Sequence, residues 1–167
     1  LPLTAAWGWN ALGGGFIFGR EDNMAFQLIS IAAFAAFYGC YFVKMLRQKR
    51  RGIQTDQLGK GKAGFVKFVE ITMKAAAVLA FAAGLISIFT GTGRSPAAVR
   101  AVGAAMSVGG TIVFIFAVRA MDDSWRAGVS KTDQTELVTG GIYQISRNPA
   151  FLGFDLLYMG TLLMFFN

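Results

Sequence analysis

Residues 24–43 run for 20 positions without a charged side chain. An apolar stretch of that length points to a helix crossing a bilayer, which needs ~20 mostly apolar residues. Three further stretches read the same way. Residues 72–90 carry Lys74 near the front, residues 101–118 are uncharged, and residues 149–166 are interrupted by one acid, Asp155. The composition agrees: 54% of the chain is hydrophobic and 15% charged, with a mean hydropathy of +0.51, too apolar for an ordinary soluble domain. The expectation is an all-α fold: one integral membrane helical bundle over residues 1–167, with four transmembrane helices. Residues 1–19 are uncharged too, but hold Pro2, Asn10 and five glycines. They read as an N-terminal interfacial segment, with Trp7 and Trp9 at headgroup level.

The charges sort between the gaps. Lys44, Arg47, Lys49, Arg50, Arg51, Lys60, Lys62 and Lys67 crowd the connection 44–67, and Arg119, Arg126, Lys131 and Arg147 lie in 119–148. The opposite side has Arg20, Arg94 and Arg100. The positive-inside bias makes both rich loops cytoplasmic. The net charge of +7 is therefore a topology signal. No nucleic-acid partner is expected, because the basic run 44–62 has no aromatics interleaved with it on a folded surface. Glu70 and Lys74 stand four apart in the favourable order for a pair on one helix face.

Several chemistries are excluded by absence. The chain has no histidine and a single cysteine, Cys40, so His-based triads, His-metal sites, multi-Cys metal cages and intrachain disulfides all drop out. No metal is expected. Gly59-Lys60-Gly61-Lys62-Ala63-Gly64 spells a dinucleotide fingerprint, but it follows a basic loop and leads into a membrane helix. A phosphate-binding turn needs a preceding strand in a βαβ unit. The stretch reads as a flexible cationic linker near anionic headgroups. Small residues within the spans, among them Ala32, Ala33, Gly103, Ser107 and Gly110, allow close helix contact in lipid.

The informative region is the second rich loop and the helix after it. About thirty residues separate the third and fourth spans, long for a connection that only reverses the chain. Gly140-Gly141 allows unusual dihedrals or a close backbone approach to a ligand. Asn148 followed by Pro149 is a strong helix start, and the free amides of that first turn suit a carboxylate or phosphate. Arg147 beside them either reinforces anion binding or snorkels to lipid phosphate. Asp155 falls seven residues after Asn148, on the same face, and ~9 Å into the helix. An ionisable group there costs at least ~2.5 kcal/mol on insertion scales. It should face a polar contact within the bundle, to Lys74 or Tyr158, or a cavity holding a cationic ligand.

Leu137-Val138-Thr139-Gly140-Gly141-Ile142-Tyr143, then Arg147-Asn148-Pro149-Ala150-Phe151 and Gly153, resembles the signature of the isoprenylcysteine carboxyl methyltransferase family. That family belongs with phospholipid methyltransferases among small membrane enzymes using S-adenosylmethionine. Asn148 stands where the family has His and Phe151 where it has Tyr, while the helix-start geometry is retained. The resemblance implies an S-adenosylmethionine-dependent methyltransferase acting on a lipid or lipidated, isoprenylcysteine-like acceptor. The cofactor site it implies is Thr139, Gly140, Gly141, Tyr143, Arg147, Asn148, Pro149, Phe151, Gly153 and Asp155. The basic first loop fits bacterial members, so the expected location is a bacterial inner membrane with the cofactor site facing the cytoplasm. In the family a further helix and a cytoplasmic segment follow and carry the catalytic groups. This chain is accordingly expected to be C-terminally incomplete. Two other readings stand beside it: an NADPH-dependent steroid- or sterol-reductase-like membrane enzyme, and a non-enzymatic packing or transport module.

Overall fold

A computed structural model describes residues 20–90, 95–126 and 138–165. The expected interfacial segment 1–19, with Trp7 and Trp9, lies outside the described residues. So do residues 127–137, with Lys131 and the first residue of the signature, Leu137. Among the described residues there is no strand. Four α-helices follow one another: α1 (Arg20–Arg50), α2 (Gly64–Thr90), α3 (Ala97–Met121) and α4 (Pro149–Phe165), with short 3-10 turns at Asp122–Ser124 and Gly141–Gln144. The described residues build an all-helical fold, as the apolar stretches imply.

Three of these helices are long and apolar enough to cross a membrane, in the stretches Asn23–Arg50, Gly64–Thr90 and Ala97–Ser124. The fourth is equally apolar but has 17 residues, about 25 Å at 1.5 Å per residue. That is shorter than the ~30 Å hydrocarbon core.

The helices overrun the apolar windows that announce them. α1 continues through Lys44 and Arg47 to Arg50, because cations suit the carboxyl end of a helix. Its stop is a Schellman turn. Gly52 takes φ +73°, its N–H donates to the Lys49 carbonyl at 3.1 Å, and the Ile53 N–H donates to the Gln48 carbonyl at 2.9 Å.

The closest packing is between antiparallel α3 and α4. A Cβ on Gly110 would lie 2.6 Å from the Gly153 carbonyl oxygen, and one on Gly103 would lie 2.6 Å from that of Gly160. Ser107, buried between them, donates to the Leu157 carbonyl at 3.1 Å. The small residues of α3 thus serve packing within the bundle. α1 lies across this pair through Phe37, whose ring stacks on Phe114 with centroids 3.8 Å apart. α2 docks only through its second half. Gly84 and Ile88 are buried there, with Gly84 against Phe34 and Tyr158, whereas most of residues 64–76 are exposed.

The connection between α1 and α2 is a folded strap. The Gly59 N–H donates to Glu70 at 2.7 Å, Lys62 also pairs with Glu70, and both of those side chains are largely buried. Lys74 pairs with Asp56. Two sequence expectations are thereby corrected. Glu70 and Lys74 do not pair with each other, since each finds a partner in the strap. The glycine-rich stretch is also no free linker: Gly59, Gly61 and Gly64 take φ of +74°, +64° and +62° to fold it onto α2.

Candidate functional site

The carboxyl ends of α1 and α3 and the start of α4 meet at one end of the bundle. Both basic connections leave from this end. Lys44 donates to Asp122 at 2.8 Å and Arg51 to Asp123 at 2.6 Å. Gln48, fully buried, organises the junction. Its Nε2 donates to the Trp125 carbonyl at 3.0 Å and the Asp123 carbonyl at 3.3 Å, and its Oε1 accepts from Thr55 at 2.6 Å. Trp125, also buried, meets Tyr41 edge-on at 5.4 Å. Burial pushes the Asp56 carboxyl up, but Lys74, the Leu58 N–H and Lys60 outweigh it, so the group is held below the usual carboxylate range.

The chain re-enters this end at Val138. Gly140 is extended, and Gly141 takes φ +61° to start the 3-10 turn Gly141–Gln144. An L side chain is strained at that φ, so Gly141 has a conformational reason to be glycine. Gly140 has φ −91°, and a Cβ there would meet nothing within 4 Å. Neither conformation nor packing requires glycine at 140, which leaves clearance for a ligand. Tyr143 is half-buried, and that burial raises its hydroxyl pKa. The turn closes with the Ser146 N–H donating to the Ile142 carbonyl at 3.2 Å. Ser146 Oγ then accepts from the Asn148 N–H at 3.3 Å.

Asn148 occupies the N-cap position of α4 through its backbone, its carbonyl accepting from the Leu152 N–H at 3.1 Å. Its side chain is exposed and makes no cap hydrogen bond, so the expected capping falls to the backbone and to Ser146. Pro149 is buried and sets the first helical turn. The amides of Ala150 and Phe151 follow, with no intrahelical acceptor, as in any first turn.

The sequence-derived site residues therefore divide into two sets. Thr139, Gly140, Gly141, Arg147, Asn148, Phe151 and Asp155 are exposed, with Tyr143 half-buried beside them. Pro149 and Gly153 turn inward. A Cβ on Gly153 would lie 2.6 Å from the Gly110 carbonyl oxygen, so its glycine serves the α3–α4 contact. Asp155 lies on the open face with Phe151, Leu152 and Met159. Neither contact expected for it within the bundle is made: Lys74 pairs with Asp56, and the Tyr158 hydroxyl is hydrogen-bonded to that of Tyr38.

Gln48 was not legible as a functional position. A single neutral amide within a run of cations is the only signal, and it reads as one more solvated residue until α1 is seen against the end of α3.

The chemistry of the open set is that of an amphoteric small ligand. One cation and two free amides suit a carboxylate. Aromatic faces at Tyr143 and Phe151 suit an onium centre. Residues 98–167 match the family model of phospholipid methyltransferases. No curated protein and no solved structure matches the chain. The segment that matches this family spans nearly all of α3, the connection after it and α4, and contains every residue of the open set. It is a methyltransferase family whose substrates are membrane lipids, in agreement with the apolar helices. The match favours neither a nicotinamide-dependent reductase nor a packing module.

Proposed function

We propose that the chain is an S-adenosylmethionine-dependent membrane methyltransferase that acts on a lipid or lipidated acceptor. Its cofactor site lies at the loop end of four membrane-inserted helices and faces the cytoplasm of a bacterial inner membrane. The observation that carries this reading is the exposed set at the start of α4, which falls within the segment matching phospholipid methyltransferases.

The residues present fit the cofactor. Arg147 and the amides of Ala150 and Phe151 would take its carboxylate, the clearance at Gly140 would admit its body, and Phe151 and Tyr143 would face its cationic sulfur. When bound, the cofactor supplies an electrophilic methyl group. Transfer of that group needs alignment and exclusion of water, and no histidine or reactive cysteine. The acceptor would arrive sideways through lipid.

The test is binding by the detergent-purified chain, with S-adenosylmethionine titrated against NADPH. S-adenosylmethionine should bind and NADPH should not. Arg147→Ala removes a charge-assisted contact and should weaken binding about tenfold to a hundredfold. Gly140→Leu should weaken it comparably while leaving helicity unchanged, because its side chain enters open space. Wild-type binding by both variants would remove this site. NADPH binding in place of S-adenosylmethionine would restore the reductase reading.

A further inference from the structure

We infer that the outer groove between α1 and α3 seats an anionic phospholipid, its phosphate held by Arg47 and Arg119 and one acyl chain laid along the seam beside them. The inference goes beyond the methyltransferase reading and does not depend on it. The lipid here is a bound component of the bundle and not a methyl acceptor.

The seam comes first. α1 and α3 run in the same direction, and three approaches mark their register. Thr111 donates to the Ala33 carbonyl at 3.4 Å, Phe37 stacks on Phe114, and Cys40 lies within electrostatic reach of Arg119. Beside this seam each helix presents a strip at i, i+7 and i+11: Ala36, Val43 and Arg47 on α1, and Val108, Ile115 and Arg119 on α3. That spacing keeps residues on one helix face. Ile115 is half-buried and the other five are exposed. Each strip is apolar until its last residue, which is a cation. The α3 strip turns away from Gly103 and Gly110, which face α4. The groove is therefore separate from the candidate site at the start of α4.

Charge decides the headgroup. Lys44 and Arg51 stand at the same junction, but they pair with Asp122 and Asp123. Among the described residues Arg47 and Arg119 make no ion pair. Both acids at the junction are engaged, so a headgroup ammonium finds no carboxylate waiting for it, whereas a phosphate finds two guanidiniums. Depth decides the class of ligand. Cys40, which marks the level of Arg119, lies ten residues before the end of α1 at Arg50, about 15 Å at 1.5 Å per residue. Soluble polyanions stay outside that level. A lipid phosphate brings its own hydrocarbon to the apolar strips, and an arginine stem lies along them while its head reaches out to the phosphate.

The experiment uses the full chain in neutral detergent, with retained lipid read by native mass spectrometry. The probes are dioleoyl phosphatidylglycerol and dioleoyl phosphatidylethanolamine, with glycerophosphate as a water-soluble competitor. The wild type should retain phosphatidylglycerol about tenfold more strongly. Arg47→Gln together with Arg119→Gln should bring the two lipids to within about twofold. Lys49→Gln together with Lys67→Gln removes the same charge from exposed positions off the groove and should keep the preference. Ala36→Phe fills the groove without changing its charge and should weaken phosphatidylglycerol about fivefold. The inference is overturned if the double arginine variant keeps the preference, if the double lysine variant loses it equally, if Ala36→Phe binds like the wild type, or if glycerophosphate competes at equal concentration. The first outcome clears the arginines, the second reduces the effect to diffuse surface charge, the third removes the acyl seat, and the fourth makes the ligand a free phosphate. A chain that shows the full pattern but binds no S-adenosylmethionine counts against the enzyme reading and leaves this lipid site standing.

Discussion

Gln48 shows how much of this molecule depends on one neutral side chain. It joins the strap after α1, through Thr55, to the turn after α3, through the Asp123 and Trp125 carbonyls. A buried acceptor left without its donor costs about 1–3 kcal/mol. Gln48→Leu keeps the volume and removes these bonds; Arg126 still donates to both carbonyls, so the loss falls on the buried Thr55 hydroxyl, and the chain should be destabilised by about 1 kcal/mol or more, read as a lowered thermal midpoint in detergent. Lys49→Leu next to it, exposed, should change stability by less than about 0.5 kcal/mol. Equal melting of the two variants would mean that the junction is held by other contacts. The residue was opaque to sequence reasoning because its role exists only between elements distant in the chain. Arg147, Asn148 and Phe151 were legible because a helix start is a local event, encoded within a few residues. Gly153 belonged to the same legible motif, yet its glycine answers to Gly110 on another helix, which no local pattern states.

At the scale of elements, the α3–α4 seam sets the site, since it fixes which face of α4 remains open. Gly153→Ala places a methyl 2.6 Å from the Gly110 carbonyl oxygen and 2.8 Å from the Phe114 backbone nitrogen. Both are backbone atoms that cannot turn aside. The helices must separate, with an expected loss of about 1–3 kcal/mol and a lowered thermal midpoint. Gly109→Ala is the control: it lies on α3 next to Gly110, meets nothing within 4 Å, and should be neutral or stabilising by up to about 1 kcal/mol. If both variants melt alike, the seam is looser than its geometry. The positions of the helices were readable from apolar length, but their ends were not. A hydropathy window closes at the first cation, whereas α1 goes on until Gly52 can take a left-handed φ. The Glu70–Lys74 pair failed for a related reason: the i, i+4 rule describes an isolated helix, and here the strap offers each residue a partner already held in place.

The whole molecule has two chemically distinct ends, and the functional reading requires a definite sidedness. At one end the described acids Asp56, Glu70, Asp122 and Asp123 are all ion-paired, while Arg47, Lys49, Arg50, Lys60, Lys67 and Arg147 remain exposed. At the other end Arg100 is fully buried, with its guanidinium 4.3 Å from the Phe26 ring and bonded to Asn23 at 2.6 Å. It therefore adds little to the surface charge there. Cations near the ends of spans are retained on the cytoplasmic side during insertion, and a methyl donor made in the cytoplasm must meet the start of α4 on that side. The two requirements coincide only if the loop end faces inward. With Cys40 replaced by alanine, Lys60→Cys and Ser95→Cys report the two ends, since Ser95 precedes α3 at the end away from the strap. A membrane-impermeant maleimide applied to spheroplasts should modify Ser95→Cys and spare Lys60→Cys until the membrane is opened. The reverse pattern would put Gly140, Arg147 and Asn148 on the side without cofactor, and no rearrangement of side chains could then rescue the enzyme reading.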